Sequence, residues 1–125
     1  MTDWVLDASA ILALLQSEPG ATRVASLAPA GVISAVNAAE VVTKLVRQGV
    51  DPIQAIAATR SAGCPIVPVD ADLAFRAATL AADAKGLSLG DRVCLALAER
   101  EGVPALTADR AWAELGLAVE VELIR

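Results

Sequence analysis

The sequence predicts an α/β domain built on a mostly parallel sheet. Short β-prone apolar runs alternate with Ala-rich helical stretches along all 125 residues, and strands joined through helices run parallel. Punctuation falls where that alternation needs it: Gly49, Gly86 and Gly102 close helices, and Asp51-Pro52 opens one. No repeat, linker or low-complexity segment breaks the pattern, so residues 1–125 are expected to form one domain.

Taken in order, residues 3–6 contain Trp4-Val5-Leu6 and read as a strand, and residues 8–16 as a helix. Pro19 is placed to open a second helix ending near Leu27. After the loop Ala28-Pro29-Ala30-Gly31, Val32-Ile33-Ser34 is a short strand. Residues 37–48 read as a helix with Val41, Val42, Leu45 and Val46 on one stripe. Asp51 is the expected N-cap of a helix reaching about residue 62. Residues 66–69 form a strand that Pro68 confines to a sheet edge or a strand end. Residues 71–85 read as one long helix capped by Asp72, and residues 89–101 as another with Leu89, Val93 and Leu97 in phase. Residues 105–107 are a strand, 110–115 a short helix and 118–124 a last strand. Its alternating Glu120 and Glu122 point to an exposed face and an edge position.

Composition narrows the function classes. The hydrophobic fraction is 56%, but 28 residues are Ala and 16 are Leu, which signals a helix-rich chain rather than a membrane protein. The longest uncharged stretch, residues 24–39, is broken by Pro29, Gly31, Ser34 and Asn37, and no run reaches the roughly 18 residues of a membrane span. Asp3 and Asp7 spoil any leader-like segment, so a cytoplasmic location is expected. The absence of His excludes a Ser-His-Asp triad and a His pair acting on RNA. Cys64 and Cys94 alone make no zinc site and are expected in the core. The net charge of −5 argues against a broad basic surface for nucleic acid.

Four acids remain at the seams between strands and helices. Asp7 follows the first strand, Asp109 follows residues 105–107, Glu40 sits one turn into the helix after the second strand, and Asp91 lies in the first turn of its helix. In such a sheet the C-terminal strand ends share one edge, where ligands bind. Each acid also has a structural reading. Asp7 and Asp109 stand at N-cap positions, and the pairs Ser88/Asp91 and Asn37/Glu40 have capping-box spacing. If the acids converge, a pair about 4 Å apart repels by about 4 kcal/mol at an effective dielectric of about 20. A divalent cation removes that penalty, and carboxylates without His or Cys suit Mg2+ or Mn2+. Setting these four aside leaves 11 acidic against 10 basic residues, so most of the excess negative charge belongs to them.

The stretches VLDASAIL (5–12), SAVNAAEVV (34–42), LSLGDRVCLALA (87–98) and ALTADRAW (105–112) resemble, in order and spacing, those of PIN-domain ribonucleases. The likeness is in particular to VapC-type toxins of type II toxin–antitoxin systems. It implies a three-layer PIN-like fold with about five strands. It also implies metal-dependent endoribonuclease activity, hydrolysis leaving 5′-phosphate and 3′-hydroxyl ends. Carried over residue by residue, the acidic cluster that binds metal and performs catalysis falls on Asp7, Glu40, Asp91 and Asp109, and the hydroxyls lining it on Ser9 and Thr107. Asn37, one turn before Glu40, is placed to support the metal or to touch RNA. Lys44, Arg47, Arg92 and Arg110 are candidate RNA contacts; Asp70 and Asp72 have no counterpart in the motif. The resemblance further implies a VapB-like antitoxin as partner and a homodimer. The antitoxin's C-terminal segment would cover the helix of Val41, Val42 and Leu45 and send a cation towards the acids. Two other readings stand beside this one: a PIN-like module that binds without cleaving, and a receiver-like Mg2+-binding signalling domain with Asp70 as acceptor.

Overall fold

A computed structural model describes residues 1–125. Five short strands, β1 (Trp4–Leu6), β2 (Gly31–Ser34), β3 (Ile66–Val67), β4 (Ala105–Thr107) and β5 (Val121–Leu123), form one parallel sheet in the order β3-β2-β1-β4-β5. The chain winds outward from β1 to β2 and β3, then returns across the sheet to add β4 and β5 on the other side of β1. The winding direction therefore reverses between β1 and β4, the place where open α/β sheets build ligand sites. A receiver-like sheet orders its strands 2-1-3-4-5, so that alternative is overturned by the topology. Both edge expectations hold, since β3 and β5 are the outer strands.

Six helices cover the two faces: α1 (Ala8–Leu15), α2 (Ala21–Leu27), α3 (Ala35–Arg47), α4 (Pro52–Arg60), α5 (Ala71–Thr79) and α6 (Leu89–Glu101). Strand side chains alternate between faces, and here both faces are dry. Leu6, Ile33 and Leu106 join α1 to α4 in one core, while Val5, Val32 and Ala105 join α5, α6 and Trp112 in the other. Cys64 and Cys94 are buried free thiols, as expected. No helix is long and apolar enough to cross a membrane.

Several expectations need correction. The helix expected over 71–85 is α5 only to Thr79, followed by a 3-10 turn at Leu80–Ala82. Arg92, reaching over from α6, donates from Nη1 to the carbonyls of Ala77 and Ala78 and so takes the place of the next helical turn. Asp70, not Asp72, caps α5, accepting from the Leu73 amide at 2.8 Å. The second helix starts at Ala21 rather than Pro19, because Gly20 turns left-handed (φ 97°) against the backbone of Ile124. α3 begins at Ala35 and is capped by Ser34, whose Oγ accepts from the Asn37 amide at 3.0 Å, so Asn37 and Glu40 form no capping box. Val46 and Leu89, placed on apolar stripes by their spacing, are exposed. Val41 and Leu45 are core residues, which leaves only Val42 of the expected antitoxin-covered stripe partly accessible.

Candidate metal centre

Asp7 leaves the central strand with its amide bonded to the Leu106 carbonyl of β4. It occupies the N-cap position of α1 yet makes no side-chain cap bond. Ser9 Oγ donates instead to Asp7 Oδ2 at 2.7 Å, and Thr107 Oγ1 donates to the same oxygen at 3.0 Å. The two hydroxyls lie 3.2 Å apart. Each has a single proton, and both protons go to Asp7. Their oxygens in turn accept from the backbone: Ser9 from Ala108 N at 2.9 Å, Thr107 from Asp109 N at 3.1 Å. The start of α1 and the end of β4 are thus tied across the switch point by one carboxylate.

Glu40 is held from the other side. Asn37 is fully buried, and its Nδ2 donates to Glu40 Oε1 at 2.8 Å and to the Gly90 carbonyl at 2.9 Å. Its Oδ1 accepts from Ser34 Oγ at 2.7 Å. Two acceptors on one side and a hydroxyl donor on the other fix the orientation of the amide. Asp91 enters from α6 in a full capping box, accepting from Ser88 N at 3.0 Å while Ser88 Oγ accepts from Asp91 N at 3.1 Å.

Electrostatics link three of the four acids. Burial pushes the Asp7 carboxyl up to about 6, and the Asp91 charge adds to the rise against the pull of its hydroxyl donors. Burial also raises Glu40, opposed by the Asn37 bond and assisted by Asp91. Burial pushes up the Cys94 thiol, one turn after Asp91 on α6, and the charges of Asp7, Asp91 and Glu40 add to the rise. Asp109 stands apart: it is exposed, and its Oδ1 accepts from Ala111 N at 3.0 Å as cap of the 3-10 turn Arg110–Glu114.

The cation candidates divide in the same way. Lys44 and Arg47 are exposed and, with Glu40, Thr43 and Gln48, line an open hollow of about 570 Å³. Arg110 is exposed beside Asp109. Arg92 is committed to the carbonyls of α5, with its Nε buried and unpartnered, so its role here is to join two helices. Ser34 and Gly90 were missed as members of the site. Ser34 had a sequence signal, a hydroxyl three residues ahead of Asn37 at a helix start; Gly90 had only its unfavourable placement in a helical turn.

The donors are all carboxylate and hydroxyl oxygens, which suits a hard divalent cation. No three acidic or thiol side chains stand in a geometry that could hold a metal ion by themselves. That is compatible with Mg2+, which keeps several waters and is usually held by one or two carboxylates together with substrate phosphates.

The sheet order and the carboxylates at its switch point define an open, doubly wound α/β domain with a candidate ligand site at its strand ends. More specifically, the PIN-domain family pattern matches residues 4–117, and the chain belongs to that family. Solved structures share its fold. A toxin–antitoxin complex from Klebsiella pneumoniae is similar at a TM-score of 0.77 with 21% identity, over 98% of both chains. The sarcin–ricin-loop-cleaving toxin VapC20 of Mycobacterium tuberculosis is similar at 0.77 with 23% identity, over 93% of this chain and 97% of that one. DNA-bound VapBC from Salmonella typhimurium is similar at 0.76 with 16% identity, over the whole of both. At these identities the likeness is one of fold. No curated protein sequence matches.

Proposed function

We propose that this chain is a divalent-cation-dependent endoribonuclease that serves as the toxin of a toxin–antitoxin pair. The observation that carries the reading is Asp7: a buried carboxylate at the switch point, withheld from helix capping and served by two hydroxyl donors. PIN-domain nucleases generally use divalent metals. Asp7, Glu40, Asp91 and Asp109 would share the ion, Mg2+ or Mn2+, one or two of them directly and the others through its waters, since no three of them are set to ligate it by themselves. When bound, the ion supplies Lewis acidity, lowering the pKa of a water towards neutrality and offsetting charge on the phosphate. The chain's own groups do the rest. Ser9 and Thr107 hold the Asp7 carboxylate in one orientation. Asn37 aims Glu40, which is placed to orient the attacking water. Lys44, Arg47 and Arg110 are the cations free to meet RNA phosphates, a local set suited to recognition by shape rather than bulk charge.

The partner follows from the same reading. Two of the similar structures are toxin–antitoxin or VapBC assemblies, one of them bound to DNA. A VapB-like antitoxin here would offer a cation to the acids and apolar side chains to the groove where Val42 meets Ile56. A two-fold homodimer completes the proposal. The test is cleavage of defined RNAs by the purified chain with Mg2+ or Mn2+, with and without EDTA. Metal-dependent cleavage lost in Asp7→Asn supports the reading; no cleavage under any metal overturns it.

A further inference from the structure

Gly90 is the second residue of α6 and is buried. Six glycines of the chain use left-handed backbone, at positions 20, 49, 63, 86, 102 and 116, but Gly90 does not. A glycine with ordinary helical backbone weakens its helix relative to alanine, so neither turn geometry nor propensity accounts for it. Space does. A β-carbon at position 90 would stand 2.7 Å from both Cδ and Oε1 of Glu40, and closer still to Oε2. Its three nearest neighbours would all be atoms of that carboxyl group, and none would belong to the backbone of α3. What the missing side chain makes room for is the Glu40 carboxylate.

The same place is fixed by a second device. The Gly90 carbonyl and Glu40 Oε1 accept from one nitrogen, Asn37 Nδ2. Asn37 is itself anchored to Ser34 at the end of β2, and both are fully buried. A glutamate has three torsions to freeze, and a half-buried one swings to water unless something holds it.

We propose that Asn37 and Gly90 are positioning residues for Glu40. Gly90 forms the slot and Asn37 the pin that keep the carboxylate against the first turn of α6, beside Asp91. This rests on the nuclease reading for its kinetic consequence but not for its geometry. It also explains why α3 and α6 carry their acids as one unit: the amide that orients Glu40 grips the turn that presents Asp91.

Gly90→Ala tests it. The methyl meets only the far end of a flexible side chain, so the fold yields by expelling the carboxylate. Expected are a melting temperature equal to or above that of the parent, displaced NMR signals of the Asn37 side-chain amide, and an altered cleavage rate. The kcat should fall about tenfold or more while KM stays within about twofold. Glu40→Asp, one methylene shorter, vacates the slot, so adding Gly90→Ala to it should have little further effect on kcat. Unchanged Asn37 signals with parental kcat overturn the proposal. So does an equal loss from Gly90→Ala whether position 40 is Glu or Asp, or a fall in melting temperature. If the parent cleaves no RNA, the nuclease reading fails on its own, and the Asn37 signals alone decide the clamp.

Discussion

Asp7 and Asp70 occupy the same formal position in two regions of the molecule and behave differently. Each follows a strand of one parallel sheet and stands at the N-cap of the next helix. Their backbones nearly coincide, at φ −78°, ψ 160° and φ −83°, ψ 175°. Asp70 caps the Leu73 amide, stays exposed and meets Arg100 at 3.3 Å. Asp7 caps nothing, is 5% exposed and collects two hydroxyls. The difference lies in the neighbouring strand. β3 is an edge, so no strand lies beyond it to enclose Asp70, whereas β1 is central and β4 brings Thr107 to Asp7. Local backbone therefore does not separate a cap from a site; the position of the strand in the sheet does.

The contrast is broken most directly by activity. On the proposed function, Asp7→Asn should lower the rate of RNA cleavage roughly a thousandfold, because it removes a charge from the proposed ligands of the ion. Asp70→Asn should leave the rate within about twofold, since a cap on the edge strand touches nothing reactive. Initial rates at saturating Mg2+ decide this, and equal losses at both positions would erase the distinction.

Stability against pH gives the next largest effect. The folded carboxyl of Asp7 titrates at about 6 against an ordinary value of 3.8. Below the ordinary value both folded and unfolded chains carry the proton, and Asp7 neither stabilises nor destabilises. Between the two values the unfolded chain ionises first, so folded stability falls as pH rises. Above about 6 the full penalty is present, on the order of 3 kcal/mol for a shift of about two units. In EDTA, denaturant unfolding of the parent should therefore lose stability from pH 4 to pH 7 relative to Asp7→Asn. A pH-independent difference between the two would sink the assignment. Mg2+ should reverse the ordering at pH 7, because the folded parent gains binding free energy.

Smaller effects sharpen the comparison. Asn37→Ala leaves the Gly90 carbonyl and the Ser34 hydroxyl without their buried partner, which should cost about 2 kcal/mol in chemical denaturation. Asp70→Ala should cost about 1 kcal/mol, the usual value of an N-cap, with no change in cleavage. A melting shift larger for Asp70→Ala than for Asn37→Ala would contradict the burial pattern on which both rest.

Much of this was legible in the sequence because it is local. The strand–helix alternation, the caps at Asp51 and Ser88 and the edge strands follow from residues close together in the chain. So does the delivery of Asp7 to a strand end. What was not legible depends on partners far away. The early end of α5 is imposed by Arg92 from the next helix. Val46 and Leu89 have the spacing of core residues but no neighbour to bury them. Asp109 and Asp7 look alike beside their strands, yet Asp109 is exposed on a 3-10 turn and Asp7 is enclosed. The slot at Gly90 exists only once α3 and α6 are packed.

The bond from Thr107 to Asp7 joins residues 100 positions apart, and the strand that carries Thr107 is inserted next to β1. During synthesis, β1 waits as an edge strand, and Asp7 waits with it, while about a hundred residues follow at roughly 5–20 per second. Only when β4 emerges does β1 gain its second neighbour and the carboxylate its second hydroxyl. For a chain proposed to cut RNA, which is made by a machine of RNA, the order of the strands doubles as a timer. The hydroxyl pair around Asp7 is complete only after β4 has been made.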